Sequence, residues 1–165
     1  MQRDLSGFRN VLFLDPGLGG TGWAFFRKLR EHNAIPPDST GVIRGKGETW
    51  VDRCLNVAEA VHELHIICGI DNLVMEFPES WEGSAVSLAS SKSGALGKLT
   101  FLCGCIGGVF GKPGHVILMA PMRWKGQLPK DQVINRIKRR WPDLPHIRDH
   151  EGDAIGMGLS AQGAI

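Results

Sequence analysis

Apolar and polar positions along this chain follow two periods. Val11-Leu12-Phe13-Leu14 is an unbroken apolar run, the pattern of a strand buried on both faces, and it ends in a carboxylate, Asp15. Pro16 to Gly20 reads as a glycine-rich turn into a second strand, about Thr21 to Lys28. Pro36-Pro37-Asp38 marks a loop, and a short strand is expected near Thr40 to Arg44, ended by Gly45 and Gly47. From Thr49, a capping residue, the spacing becomes helical as far as about Cys68. Val51, Leu55, Val57, Ala58, Val61 and Leu64 face inward there, and Gly69 suits the C-terminal position. Asn72 to Glu76 repeats the first pattern, an apolar strand closed by a carboxylate. A loop over Phe77 to Ser84 and a small-residue helix from about Ala85 to Phe110 follow. A strand from His115 to Met119, ended by Pro121, and a basic helix from Pro129 to Trp141 come next. A loop over Pro142 to His146 and a closing helix from Glu151 to about Ser160 complete the series. The order β-β-β-α-β-α-β-α-α predicts an α/β fold, a mixed sheet with helices on its faces.

Composition adds bounds. The 165 residues suit one domain with a proper core, and residues 1–10 read as a loose polar leader, not a signal peptide. No apolar run approaches the roughly 18 residues of a membrane span, and the stretch 99–110 is too short and glycine-rich. Cys54, Cys68, Cys103 and Cys105 form no CxxC pair. Cys103 and Cys105 read as small core residues, and the usage fits a reducing, cytoplasmic setting. Formal net charge is +2 but uneven, because Pro121 to His150 holds eight Lys/Arg against three acids. That stretch is either an edge that binds a polyanion or a solvated basic face.

The carboxylates carry the chemistry. Burying Asp15 without a partner would cost on the order of several kcal/mol, and a metal ion is the obvious partner. The first and fourth strands, lying parallel and adjacent, would bring Asp15 and Glu76 to one sheet edge, where chemistry gathers in such folds. His150 and Asp153, three apart at the start of the closing helix, point the same way. Together they look like a nuclease site for Mg²⁺ or Mn²⁺. In a site with two ions about 3.5–4 Å apart, one activates water and the other stabilises the leaving 3′ oxygen. Asp15 would bridge, Glu76 would hold the nucleophile-side ion and Asp153 the other, and His150 would ligate or orient water. Asp149 competes with His150 for the fourth position, or caps the helix. Asp15 also has a plainer reading as a turn initiator, and Asp153 as the partner of a base.

Taken in order, Asp15-Pro16-Gly17, Thr21-Gly22-Trp23-Ala24, Val74-Met75-Glu76 and His150-Glu151-Gly152-Asp153-Ala154-Ile155 resemble the RuvC-type Holliday-junction resolvases of the ribonuclease H-like superfamily. Lys125-Gly126 and Lys130-Asp131-Gln132-Val133 resemble that family's basic loop and following helix, and Pro121-Met122-Arg123-Trp124-Lys125-Gly126 looks most like bacteriophage members. The resemblance implies a five-stranded mixed sheet. It implies a homodimer that nicks two opposed strands of a four-way DNA junction, leaving 5′ phosphates and 3′ hydroxyls. Asp15, Glu76 and Asp153 match the family's acids; at the remaining position some members have His, as His150 does here. The family's junction-opening aromatics point to Phe77 and Trp81, stacking on bases; Phe77 reads equally as core. Lys125 and Lys130 are then phosphate contacts, with Arg123, Arg136, Arg139 and Arg140 beside them. The helix around Ser90 to Gly108 allows close approach, either at a dimer interface or on its own sheet. The biological setting, recombination and repair or debranching of viral DNA, stays open, as does host or virus.

Three rivals remain. Asp15 to Gly22 also resembles the first phosphate loop of the actin and sugar-kinase ATPases, but those proteins need two such domains and a second phosphate loop, and these 165 residues hold no second loop of that kind. An RNA-processing nuclease of the same fold is the second rival. A non-catalytic protein that binds branched nucleic acid is the third.

Overall fold

Period-two alternation inside the apolar runs decides the layering. In the first strand, β1 (Arg9–Asp15), Val11 and Phe13 face one side of the sheet and Leu12 and Leu14 the other, all fully buried. The computed structural model describes residues 5, 7–31, 33–77, 94–111, 115–144 and 147–164. β1 pairs antiparallel with β2 (Thr21–Lys28), and β2 antiparallel with β3 (Ser39–Ile43). On its other side β1 runs parallel to β4 (Asn72–Glu76), which runs parallel to β5 (Val116–Met119). The five strands lie in the order β3-β2-β1-β4-β5.

Helices cover both faces, as the element order predicts. α1 (Trp50–Cys68) and α2 (Ala95–Phe110) pack on the side of Leu12 and Leu14. α3 (Pro121–Trp124), α4 (Lys130–Arg140) and α5 (Asp149–Ala161) pack on the side of Val11 and Phe13. Thr49 starts α1 through a capping box: its hydroxyl accepts the Asp52 N–H at 3.1 Å while the Asp52 carboxylate accepts the Thr49 N–H at 2.9 Å. Gly69 ends it in the left-handed region (φ +61°), where a side chain would be strained. Trp50 meets Phe101 at one end and His65 meets Phe110 at the other, so α1 and α2 run side by side in the same direction. Cys103 is core, its thiol pushed up to about 12 by burial; Cys105 is only partly buried. Among the described residues no helix is long and apolar enough to cross a membrane.

Several boundaries differ from the sequence expectation. β1 starts at Arg9, Leu5 is buried and the Phe8 carbonyl accepts the Leu29 N–H at 3.1 Å, so the end of the expected leader belongs to the body. On α1 it is Cys54, Val57, Ala58 and Val61 that are buried, while Leu55 is 53% exposed. Cys54 takes the inward place one position away, a small rotation that apolar spacing alone does not resolve. Pro121 opens the short helix α3 rather than only ending β5, since a proline at the first helical position lacks only an N–H that has no partner there. The small-residue helix is described from Ala95; its expected start at Ala85 lies outside the described residues.

α5 is buried without a break from Glu151 to Leu159. Its glycines let neighbours approach where a side chain would stand. A Cβ at Gly156 would lie 2.6 Å from Trp124 Cζ3 and 2.9 Å from Val133 Cγ1, and one at Gly158 would run into the Phe26 ring. From β2, a Cβ at Gly22 would meet the His150 backbone. Gly156→Ala is therefore expected to destabilise the protein by about 1–3 kcal/mol through overpacking. Helix propensity alone predicts a gain of about 1 kcal/mol. Urea denaturation decides between the two signs.

Candidate active site

Strand register brings the first two carboxylates together. Leu14 pairs with Met75 across the parallel β1–β4 ladder, so Asp15 and Glu76 are the next residues on neighbouring strands, at their C-terminal ends. α5 supplies two more groups one helical turn apart. His150 Nδ1 donates to Asp15 Oδ2 at 2.7 Å, and Asp153 lies deeper, 6% exposed. Asp149 is exposed, and it is His150 that reaches Asp15. The helix that presents both is tied down by Glu151, whose carboxylate accepts the Arg148 N–H at 3.1 Å and the Thr40 hydroxyl of β3.

Two lysines enter the same space. Lys125 Nζ lies 3.7 Å from Glu76 Oε2 and 3.7 Å from Asp153 Oδ1, bridging the two acids. Lys130 Nζ lies 3.3 Å from Asp153 Oδ2. The sequence suggests both as phosphate contacts and Asp153 as the partner of a base; the structure pairs both ammonium groups with Asp153 and Lys125 also with Glu76. Trp124, which sequence reasoning passed over as chemistry, donates its indole N–H to Glu76 Oε2 at 2.7 Å. The signal available was an aromatic residue directly before Lys125, which says nothing by itself about Glu76. The tie between Thr40 and Glu151 was equally invisible, because the two lie 111 residues apart.

Electrostatics follow from this crowding. Burial is the main reason that Glu76 holds its proton more tightly than an ordinary glutamate, and repulsion from Asp15 adds to it; Lys125 and the Trp124 hydrogen bond pull the other way. His150 is raised above its ordinary value, first by its hydrogen bond to Asp15. Asp153 Oδ1 is buried and accepts no hydrogen bond from the described residues. Among the described residues, no group of three or more His, Cys, Asp or Glu side chains is arranged to hold a metal ion as it stands. The donor chemistry nevertheless fits a hard divalent cation: three carboxylates on one edge, one with a buried oxygen that accepts no hydrogen bond from the described residues, and lysine ammonium groups in the space between.

The remaining expected residues divide. Arg123, Arg136 and Arg139 are exposed on α3 and α4, and Arg140 leans back to the Ala34 carbonyl at 3.5 Å. Phe77 is partly buried against the core on the α1/α2 side. Trp81 lies outside the described residues.

No protein-family model matches the chain, and no curated protein matches it in sequence. Solved structures do match. Thermus thermophilus RuvC in complex with Holliday junction substrate superposes with a TM-score of 0.71 at 16% identity, covering 93% of this chain and 92% of that one. The yeast mitochondrial Holliday junction resolvase gives 0.61 at 12% identity, over 98% and 83%. Fowlpox virus resolvase in complex with Holliday junction DNA gives 0.52 at 17% identity, over 93% and 97%. The chain thus has the ribonuclease H-like fold seen in these resolvases.

Both Glu76 and His150 bind protons more readily in the folded chain than in the unfolded one. Their contribution to stability is therefore full below the ordinary values of 4.5 and 6.5, and is lost as pH rises through the raised ones. In chelator, Glu76→Gln is expected to remove the part of the decline that begins at 4.5 while leaving the His150 part. Melting temperature against pH for the two proteins checks this; parallel curves contradict it.

Proposed function

We propose that this protein is a metal-dependent, structure-selective endodeoxyribonuclease that resolves four-way DNA junctions by paired symmetric nicks, leaving 5′ phosphates and 3′ hydroxyls. The observation that carries the reading is the convergence of Asp15, Glu76 and Asp153 from three elements on one sheet edge, neutralised there by two lysines. The fold shared with resolvases, two of them in complex with Holliday junctions, supports it. The bacteriophage likeness rests on Pro121 to Gly126 alone.

Asp15, Glu76 and Asp153 would hold Mg²⁺ or Mn²⁺, two ions per site, with His150 as the fourth group. Bound there, the metal would activate the attacking water and stabilise charge on the leaving 3′ oxygen. The chain's own residues do the rest. Trp124 fixes the rotamer of Glu76 through its indole N–H. Glu151 and Thr40 hold the start of α5, and with it His150, against β2 and β3. His150, donating through Nδ1 to Asp15, keeps its other ring nitrogen for water or metal. Lys125 and Lys130 carry the counter-charge of Glu76 and Asp153 in the protein alone. Once those carboxylates are otherwise engaged, their ammonium groups turn to the scissile phosphate. Arg123, Arg136 and Arg139 take flanking phosphates, and Trp81, rather than the core-packed Phe77, stacks at the junction centre.

A junction with two equivalent scissile strands calls for two sites, hence a homodimer. α2 supports this: a Cβ at Gly104, Gly107 or Gly108 would meet nothing within 4 Å. These glycines line a largely apolar groove of about 660 Å³ with Met75, Phe77 and Leu118. They are therefore not spent on close packing against the chain's own described residues. Gly107→Leu is expected to shift the protein towards monomer in velocity sedimentation; an unchanged mass removes this face from the interface.

A labelled four-way junction, a linear duplex and a stem-loop RNA, each with Mg²⁺, Mn²⁺ or chelator, test the function. Paired ligatable nicks in the junction alone, lost in chelator, are the expected result. Cutting of the RNA moves the protein to the RNA-processing reading, and tight binding without cutting to the non-catalytic one. Asp15→Asn should lower cleavage by at least about a thousandfold while junction binding persists, since what is lost is metal-assisted catalysis worth several kcal/mol of transition-state stabilisation. Full activity in that variant sinks the assignment.

A further inference from the structure

Beside the carboxylates lies a cleft that neither the sequence reading nor the function above uses. It has a volume of about 240 Å³ and is lined by Leu18 and Gly19 of the β1–β2 turn, Trp50 and Arg53 of α1, and Lys98 of α2. Two of these five residues are cations and none is an acid. The nearby carboxylate of Asp52 is engaged by the Thr49 N–H and hydroxyl, at 2.9 and 2.7 Å. Lys98 Nζ stands 5.8 Å above the Trp50 ring, and the ring is steadied by an edge-on contact with Phe101 at 5.3 Å between centroids. Arg53 and Leu18 are exposed. The cleft therefore offers two forked or mobile donors beside a half-buried indole, the pairing that holds a nucleotide by its phosphate and its base.

Its position gives it a role. The turn that carries Leu18 and Gly19 is the one that leaves Asp15, and on its other flank Gly17 lies against His150: a Cβ there would be 3.0 Å from His150 Cε1. The cleft thus sits across one turn from the site, while Lys125 and Lys130 enter from the side of Glu76 and Asp153. A strand laid over the carboxylates would meet cations on both flanks.

We propose that this cleft binds one nucleotide of the substrate strand next to the scissile phosphate. Arg53 and Lys98 hold its phosphate, and Trp50 with Leu18 forms the wall for its base. The inference rests on the nuclease reading and adds a subsite to it. The test uses Asp15→Asn as the binding-competent parent, with a fluorescein-labelled four-way junction in Mg²⁺ and a salt series. Adding Arg53→Gln and Lys98→Gln together should weaken binding roughly tenfold, and should reduce the slope of log K against log salt by about two. Adding Trp50→Leu, which keeps an apolar side chain against Phe101, should weaken binding several-fold and leave the slope unchanged. Arg53 is exposed and Lys98 only partly buried, so the double variant remains decisive if Trp50→Leu fails to fold. Parent-like affinity and slope in the double variant overturn the cleft and leave the nuclease reading standing. A parent that binds no nucleic acid overturns both. Relief of binding by millimolar dAMP in the parent, absent in the double variant, shows that a mononucleotide and the strand compete for this cleft and supports the contact.

Discussion

Like charge gathered in a partly buried place is the constraint around which this molecule is arranged. Asp15, Glu76 and Asp153 share one edge of the sheet, and each carboxylate taken from water raises the cost of ionising the next. The raised proton affinity of Glu76 records that cost, in burial first and in repulsion from Asp15 second. The structure answers with cations and donors aimed at particular oxygens. Lys125 spans two of the acids, Lys130 takes the second oxygen of Asp153, His150 takes Asp15, and the Trp124 indole takes Glu76. Among the described residues Asp153 Oδ1 accepts no hydrogen bond and has only the Lys125 ammonium at 3.7 Å beside it.

Delivering those partners depends on how closely α5 can lie. His150 and Asp153 reach the edge only because the helix backbone sits against Gly22 of β2, where any side chain would collide with it. Gly156 does the same for Trp124, so the indole that donates to Glu76 occupies space a methyl group would claim. The glycines of α5 are thus part of the site although none touches a site carboxylate. Glu151 completes this support by holding the start of the helix to β3 through Thr40.

The same logic explains how chains 12–17% identical share this fold. Fold demands only that apolar residues recur with the right period and that small residues stand at the close approaches. Such requirements are met by many sequences. The candidate site places few demands on the rest of the chain, because its charged groups stand at two strand ends and one helix start.

The sequence alone determined the element order apart from the short helix α3, the mixed sheet with helices on its faces, and the strand-end positions of Asp15 and Glu76. Each follows from local periodicity, from turn residues and from the rule that parallel neighbours end together. It left open what depends on contacts between distant segments. Choosing His150 over Asp149 as the neighbour of Asp15 required the rotation of α5 on the sheet, and finding Cys54 inside instead of Leu55 required that of α1. Lys125 and Lys130 look like surface cations in a basic stretch; only the docking of α3 and α4 beside α5 turns them inward onto Glu76 and Asp153. A residue's type and its neighbours in the chain state what it can bind. Tertiary packing decides which partner comes within reach, because that partner lies many residues away and no local pattern encodes the distance.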